Sequence, residues 1–172
     1  MQSVSAFDLP LTGTNVHLRR LQPEDALPLY EIEADADVKR YIGGPVLKPQ
    51  ATWISDLEKS LKDTHLLAIT LGESGPLLGR ASLDPVISSN ELELRIVLGR
   101  NAWGKHYGRE AAGLLLKHAD NLHCPLVAIT DPRNQASLAL LQAIGFNQID
   151  IVQSNDWQNG HLLFRRNPDG LL

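Results

Sequence analysis

The feature that most narrows the possible folds is the stretch ELELRIVLGRNAWGKHYGREAAGLLL, residues 91–116. Glu91 to Leu98 alternates, with Leu92, Leu94, Ile96 and Leu98 on one face and Glu93, Arg95 and Val97 on the other, which is the period of a strand. From Ala111 the period changes. Ala111, Leu114, Leu115 and Ala119 recur as one face of a helix that must end before Pro125. A strand that runs through a glycine turn into a helix leaves several backbone N–H groups pointing the same way, reinforced by the helix dipole, and so offers an anion site. Gly104 and Gly108 permit close backbone approach, and Lys105 and Arg109 add positive charge at the rim. A diphosphate is the natural guest, although a glycine turn with flanking bases also occurs with no ligand at all.

The rest of the chain is punctuated at similar intervals. Val16 to Leu21 reads as a short strand, and Pro23, Glu24 and Asp25 suit the first turn of a helix carrying Leu27, Tyr30 and Ala34, widened by Leu29 and Ile32. A short helix is expected over Val38 to Ile42, stopped by Gly43-Gly44-Pro45. Pro49 opens another helix, marked by Trp53, Leu57 and Leu61. His65 to Leu71 and Leu77 to Leu83 form a hairpin, which the strand 91–98 joins. After the central helix come a strand at Leu126 to Thr130, a loop at Asp131 to Asn134, a helix from Ser137 to Ile144 closed by Gly145, and a strand from Phe146 to Val152. Asn159-Gly160 predicts a hairpin turn into Leu162 to Arg165.

Length and charge exclude several classes. With 172 residues the chain fits one domain spanning 1–172, its core at about 16–165. A net charge of −4 gives no basic stripe for a phosphate backbone, so nucleic acid is excluded as a primary partner. No run approaches the ~18 apolar residues of a membrane span, and no leader is recognisable at the start. One cysteine, Cys124, permits no internal disulfide and reads as an inert thiol. A cytoplasmic protein is expected. His17, His65, His118, His123 and His161 show no metal-ligand spacing, so no metal is implied. Trp157, in the polar stretch SNDWQNG, is a surface candidate for an acceptor cleft.

Gly99-Arg100-Asn101-Ala102-Trp103-Gly104-Lys105 also fits the first seven positions of a nucleotide P-loop. The eighth decides against it: His106 stands where a Ser or Thr hydroxyl would hold magnesium.

Taken together, these residues resemble the GNAT superfamily of N-acyltransferases, and more closely its branch of bacterial ribosomal-protein N-terminal acetyltransferases. Four ordered stretches carry the resemblance: VHLRRLQPEDALPLYEIEADADVKRYIGG, ELELRIVLGRNAWGKHYGREAAGLLL, DPRNQASLALLQAIGF and NGHLLFRR. It implies an α/β fold: a mixed, mostly antiparallel sheet of six or seven strands, splayed between the fourth and fifth, with helices on both faces. It implies acetyl-CoA as acyl donor in that splay. Ile96, Val97 and Leu98 would offer backbone groups to the pantetheine arm and thioester carbonyl. Trp103, Gly104, Lys105, His106, Tyr107, Gly108 and Arg109 would hold the pyrophosphate, and Asn134 and Ser137 would lie near the pantetheine and thiol. The family's usual turn has glycine where this chain has His106. If the position requires a positive φ, His tolerates it better than a β-branched residue and worse than glycine.

Amide formation from a thioester needs a neutral amine, a polarised carbonyl and a proton for the departing thiolate. Glu93 is the candidate base, since it aligns with an acidic position on the family's fourth strand; its bland alternative is a solvated carboxylate beside a cross-strand base. Some relatives place a tyrosine seven residues after the helix-opening asparagine, but that position here is Leu141. Ser137 is the nearest substitute as acid, with helix capping an equal alternative. The expected acceptor is a peptide or protein N-terminal α-amine or a small primary amine, handled by a monomer or homodimer. Glu31, Glu33, Asp35 and Asp37 either attract a cationic acceptor or form a solvated helix face. A second function class stays open: a domain of the same fold that binds acyl-CoA as a sensor, or binds a partner, without turnover.

Overall fold

The computed structural model describes residues 8–61, 65–87, 89–153 and 160–168; Trp157 and Asn159 lie outside them. The strands are β1 (Leu11–Thr12), β2 (Val16–Arg20), β3 (Leu67–Leu71), β4 (Leu77–Pro85), β5 (Leu92–Leu98), β6 (Leu126–Thr130), β7 (Asn147–Val152) and β8 (His161–Arg166). The helices are α1 (Ala26–Ala34), α2 (Gln50–Ser60), α3 (Tyr107–Asn121) and α4 (Gln135–Ala143). They build one eight-stranded sheet in the order β1-β2-β3-β4-β5-β6-β8-β7. Every neighbouring pair is antiparallel except β5 and β6, which run parallel.

The mixed, mostly antiparallel sheet read from sequence is therefore present, with one strand more. β1 pairs Leu11 with Leu18 over two residues, too short a run for any period to show. The expected helix at Val38 to Ile42 is instead a series of turns over residues 36–43. Within it Lys39 is buried with its ammonium on Glu33, and Gly43 and Gly44 follow at φ of 84° and 78°. Those demands suit turns better than a continuing helix.

Strand alternation sorts the core into two clusters. Leu67 and Ile69 pack with Leu18, Leu83, Leu94 and the Ala111/Leu115 stripe of α3. Ala68, between them in sequence, faces the other way, onto Leu21, Ala26 and Leu29 at α1 and Leu57 of α2. Helices thus cover both faces of the sheet. Leu18, Leu83 and Leu115 have no exposed surface, and each contributes roughly 2 kcal/mol of apolar burial. Among the described residues, no helix is long and apolar enough to cross a membrane.

The sheet opens in one place. β5 pairs with β4 along its whole length, but with β6 only at Leu92↔Leu126 and Glu93↔Val127. Beyond Glu93 the two parallel strands have no ladder, and the splay faces their C-terminal ends.

Candidate active site

β5 leaves the splay through a 3-10 turn, Arg100–Ala102, and reaches α3 by way of Trp103 to His106. Gly104 adopts φ 70° and His106 φ 62°, ψ 8°, both left-handed. His106 is the residue just before α3, and its carbonyl accepts the Glu110 N–H at 3.0 Å. Among the described residues, no hydrogen bond involves the six successive backbone N–H groups from Gly104 to Arg109. Three of them belong to the first turn of the helix, which has no internal acceptors for them. Left-handed residues at 104 and 106, followed directly by a helix start, are the arrangement that turns successive N–H groups toward one side and polarises it positively. Lys105, His106 and Arg109 are exposed around it, and among the described residues neither Lys105 nor Arg109 forms an ion pair.

Which backbone groups face the splay follows from the ladder. Gly99 N–H donates to Leu78 O at 2.9 Å, so Leu78 and Gly99 are a hydrogen-bonded antiparallel pair. Counting back along the β4–β5 register, Val97 bonds with Arg80, and Arg95 with Ser82. The groups of Ile96 and Leu98 therefore point away from β4, into the splay. Leu92 agrees with this phase, since its N–H donates to Pro125 O at 3.1 Å. The Leu98 carbonyl is taken by the Trp103 indole N–H at 2.9 Å. Ile96 is left as the open edge, and Val97 turns its amide the other way.

Glu93 occupies the apex, in the last register pair before the strands part. Its carboxylate accepts from Arg95 Nη2 at 2.7 Å, and Arg95 Nε lies 3.6 Å from Asp84. The cross-strand base expected for a merely solvated Glu93 is not its partner: the carboxylate is half-buried, and its base lies two residues along the same strand. Across the splay, β6 ends at buried Thr130, buried Asp131 follows it, and α4 begins at Gln135. Asn134 caps α4, its Oδ1 accepting the Ser137 N–H at 3.1 Å. The Asn134–Ser137 pattern is therefore first a helix cap; the Ser137 hydroxyl has no partner among the described residues.

Sequence reading missed several groups near this site. Asp131 accepts two bonds from the Arg133 guanidinium, at 2.9 and 2.6 Å, and one from the Arg133 N–H. Those bonds, opposed in part by desolvation, hold its carboxyl at about 2. Arg133 in turn lies 5.8 Å from the centre of the Tyr41 ring. The Asp-x-Arg spacing was the one available signal. Glu110, in the first turn of α3, accepts from Asn15 N–H, Asn15 Nδ2 and Val16 N–H, tying the β1–β2 turn to the cradle.

The acidic run at the end of α1 and just beyond it proves largely neutralised. Glu33 binds both Lys39 and Arg80, Asp35 binds Arg100, and Asp37 binds Arg40 and Arg100. Burial pushes the Glu33 carboxyl up, and the two cations more than offset it, so it titrates below its ordinary value. Cys124 is buried, and desolvation raises its thiol, the state of an unreactive side chain. No group of three or more metal-ligating side chains occurs among the described residues.

Comparison with known proteins agrees with this geometry. The model of the acetyltransferase (GNAT) domain matches residues 15–147. The uncharacterized N-acetyltransferase p20 of Bacillus licheniformis is 25% identical over 158 residues, covering 85% of this chain and 86% of its own. A GNAT-family acetyltransferase from Bacillus anthracis superimposes with a TM-score of 0.82 at 17% identity, over 94% of this chain and 99% of its own. Spermidine N-acetyltransferase from Vibrio cholerae, solved with CoA and spermine, does so with a TM-score of 0.78 at 13% identity, over 92% and 98%. A P-loop nucleotide enzyme would need a parallel sheet, whereas among the described residues only one strand pair is parallel. An open strand edge beside a cradle of unpaired N–H groups, in a chain matched over most of its length, makes this protein a member of the GNAT family, an acyl-CoA-dependent acetyltransferase.

Proposed function

We propose that this enzyme transfers the acetyl group of acetyl-CoA to the α-amine of a peptide or protein N-terminus, with small primary amines as the second reading. The observation that carries the donor half is the run of unpaired N–H groups from Gly104 to Arg109 beside the open edge of Ile96. In this reading the cradle, with Trp103, Lys105, His106, Tyr107 and Arg109 around it, holds the pyrophosphate. The pantetheine amides pair with Ile96 and the Leu98 N–H, continuing the interrupted ladder. Ile96 N–H polarises the thioester carbonyl, a role its direction suits better than that of Val97.

Glu93, at the apex, takes a proton from the acceptor ammonium directly or through water, and the freed nitrogen lone pair attacks the thioester carbon. As the tetrahedral intermediate collapses the C–S bond breaks, and the Ser137 hydroxyl protonates the thiolate while taking up the proton that the new amide nitrogen gives off, so that it ends the cycle as a hydroxyl. Asn134 fixes Ser137 by capping α4.

Basicity favours the α-amine. With a pKa near ~8 it is appreciably neutral at pH 7, whereas a lysine-type amine near ~10.4 is almost wholly charged. The former therefore asks less of its base, and Glu93 is the carboxylate that stands at the apex. Neutralisation of the α1 acids removes the most obvious attraction for a polycation. The Vibrio cholerae spermidine enzyme, of the same fold, is what keeps small amines as the second reading.

Thiol release from acetyl-CoA tests this with three acceptors: a lysine-free hexapeptide with a free α-amine, an N-blocked hexapeptide with one lysine, and spermidine. The free α-amine is expected to give at least roughly tenfold higher kcat/KM than the lysine peptide at pH 7. Preference for spermidine or lysine would overturn the acceptor assignment. Glu93→Gln at saturating acceptor should lower kcat and alter its pH profile; an unchanged rate and profile would remove Glu93 as the base.

A further inference from the structure

Two arginines reach one segment from the two lips of the splay. Arg100, in the 3-10 turn that leaves β5, places Nε 2.9 Å from Asp35 Oδ2 and Nη1 3.1 Å from Asp37 Oδ2. Arg133, in the loop that leaves β6, is gripped by Asp131 and lays its guanidinium against the Tyr41 ring. Asp35, Asp37 and Tyr41 belong to a single run, residues 35–49, that joins α1 to α2. Because β5 and β6 are parallel, both arginines stand at the same, open end of the splay.

The run is anchored from below by buried groups. Glu33 gathers Lys39 and Arg80, Val46 N–H donates to Glu33 O at 2.9 Å, and Gly44 N–H to Lys39 O at 3.1 Å. A cavity of about 290 Å³, lined in part by Ile32, Val38, Leu77 and Arg100, opens between α1 and the 3-10 turn. The base of the run is thus fixed, while its outer contacts are surface ion pairs and one cation–π contact, each worth only a few-fold in an equilibrium.

We propose that Arg100 and Arg133 are positioning residues that hold residues 35–41 as a strap across the open end of the splay, forming one wall of the acceptor's path. This rests on the donor occupying the splay as read above. A strap tied to both lips takes its position from the cleft the donor fills, so acceptor binding depends on these arginines while the chemical step does not.

The test uses Arg100→Ala and Arg100→Lys, Tyr41→Leu and Tyr41→Phe, with the lysine-free hexapeptide, or spermidine should the hexapeptide not turn over. Arg100→Ala should raise acceptor KM roughly fivefold, with kcat and the Kd of CoA within about twofold of the parent. Arg100→Lys should recover part of the loss. Tyr41→Leu should behave like Arg100→Ala, and Tyr41→Phe, which keeps the stacked ring, like the parent. Backbone hydrogen exchange of residues 36–44 should quicken in Arg100→Ala and Tyr41→Leu even without ligand. Unchanged exchange together with unchanged acceptor KM overturns the strap, as does a loss confined to CoA affinity. If the parent itself fails to bind CoA, the donor-site reading falls, and the ligand-free exchange comparison still decides the strap.

Discussion

Replacing His106 probes the geometry of the cradle directly. A side chain with a Cβ at φ 62° costs roughly 1 kcal/mol relative to glycine, because the Cβ crowds the following carbonyl. Glycine recovers that cost but loses about 0.5–1 kcal/mol through greater freedom of the unfolded chain. His106→Gly should therefore be neutral to stabilising, by up to about 0.5 kcal/mol, or roughly 1–2 °C in Tm for a chain of this size. Valine, branched at Cβ, should cost about 2 kcal/mol and lower Tm by roughly 4–8 °C. Alanine should fall between histidine and valine. Thermal melts followed by circular dichroism supply the ranking, and repeating them with CoA reads the cradle itself, since ligand bound only to the native state raises Tm by mass action. His106→Gly should keep the CoA-induced rise and His106→Val should lose most of it, because a displaced residue 106 takes its neighbours' N–H groups with it. If the valine variant melts within 1 °C of the parent and keeps its response to CoA, residue 106 has no left-handed constraint and the cradle is not built this way.

Other perturbations test separate parts. Glu33→Ala strands Lys39 and Arg80 beneath α1 and should destabilise by about 3 kcal/mol in urea unfolding, whereas an exposed pair such as Lys48–Asp56 should give under 1 kcal/mol. Glu110 is pushed up by desolvation and down further by the Asn15 and Val16 N–H groups, so its folded value lies below the ordinary 4.5. Its stabilisation is complete above that value and is lost as pH falls through the folded one; Glu110→Gln should flatten the stability profile in that acidic window and nowhere else. Removing Lys105 or Arg109 should weaken CoA binding roughly three- to tenfold each and reduce its salt dependence, measured by calorimetry, with little change in Tm of the free protein.

The sequence exposes whatever is periodic or local. The β5, turn, α3 succession could be read because its period switches from two to 3.6 around two glycines. Side-chain faces of β5 were equally visible, but which of Ile96 and Val97 turns its amide to the cleft was not, since alternation fixes faces and leaves the ladder phase open. One bond, from Gly99 to the Leu78 carbonyl, sets that phase. The ion pairs were illegible for a different reason. Arg100 meets Asp35 and Asp37 from a distant part of the chain, and Glu33 of α1 meets Arg80 of β4, so the acids at the end of α1 and beyond it looked available when most were already engaged. β1 escaped notice because two residues carry no period. Val38 to Ile42 had helical spacing, but its buried lysine had another destination.

The order β6-β8-β7 has a consequence for how the enzyme is made. β6, one lip of the cleft, is held by β5 at only two positions and by β8 at five. β8 is synthesised well after β6, with α4 and β7 between them, and must insert between two strands already present. While the chain is growing, then, the β1–β5 half and its cradle can form early, as consecutive antiparallel neighbours do, but the cleft has only one secure wall. On the donor-site reading proposed above, acetyl-CoA should meet a complete site only after residues 161–166 emerge, and a chain that stops short of β8 should be inert.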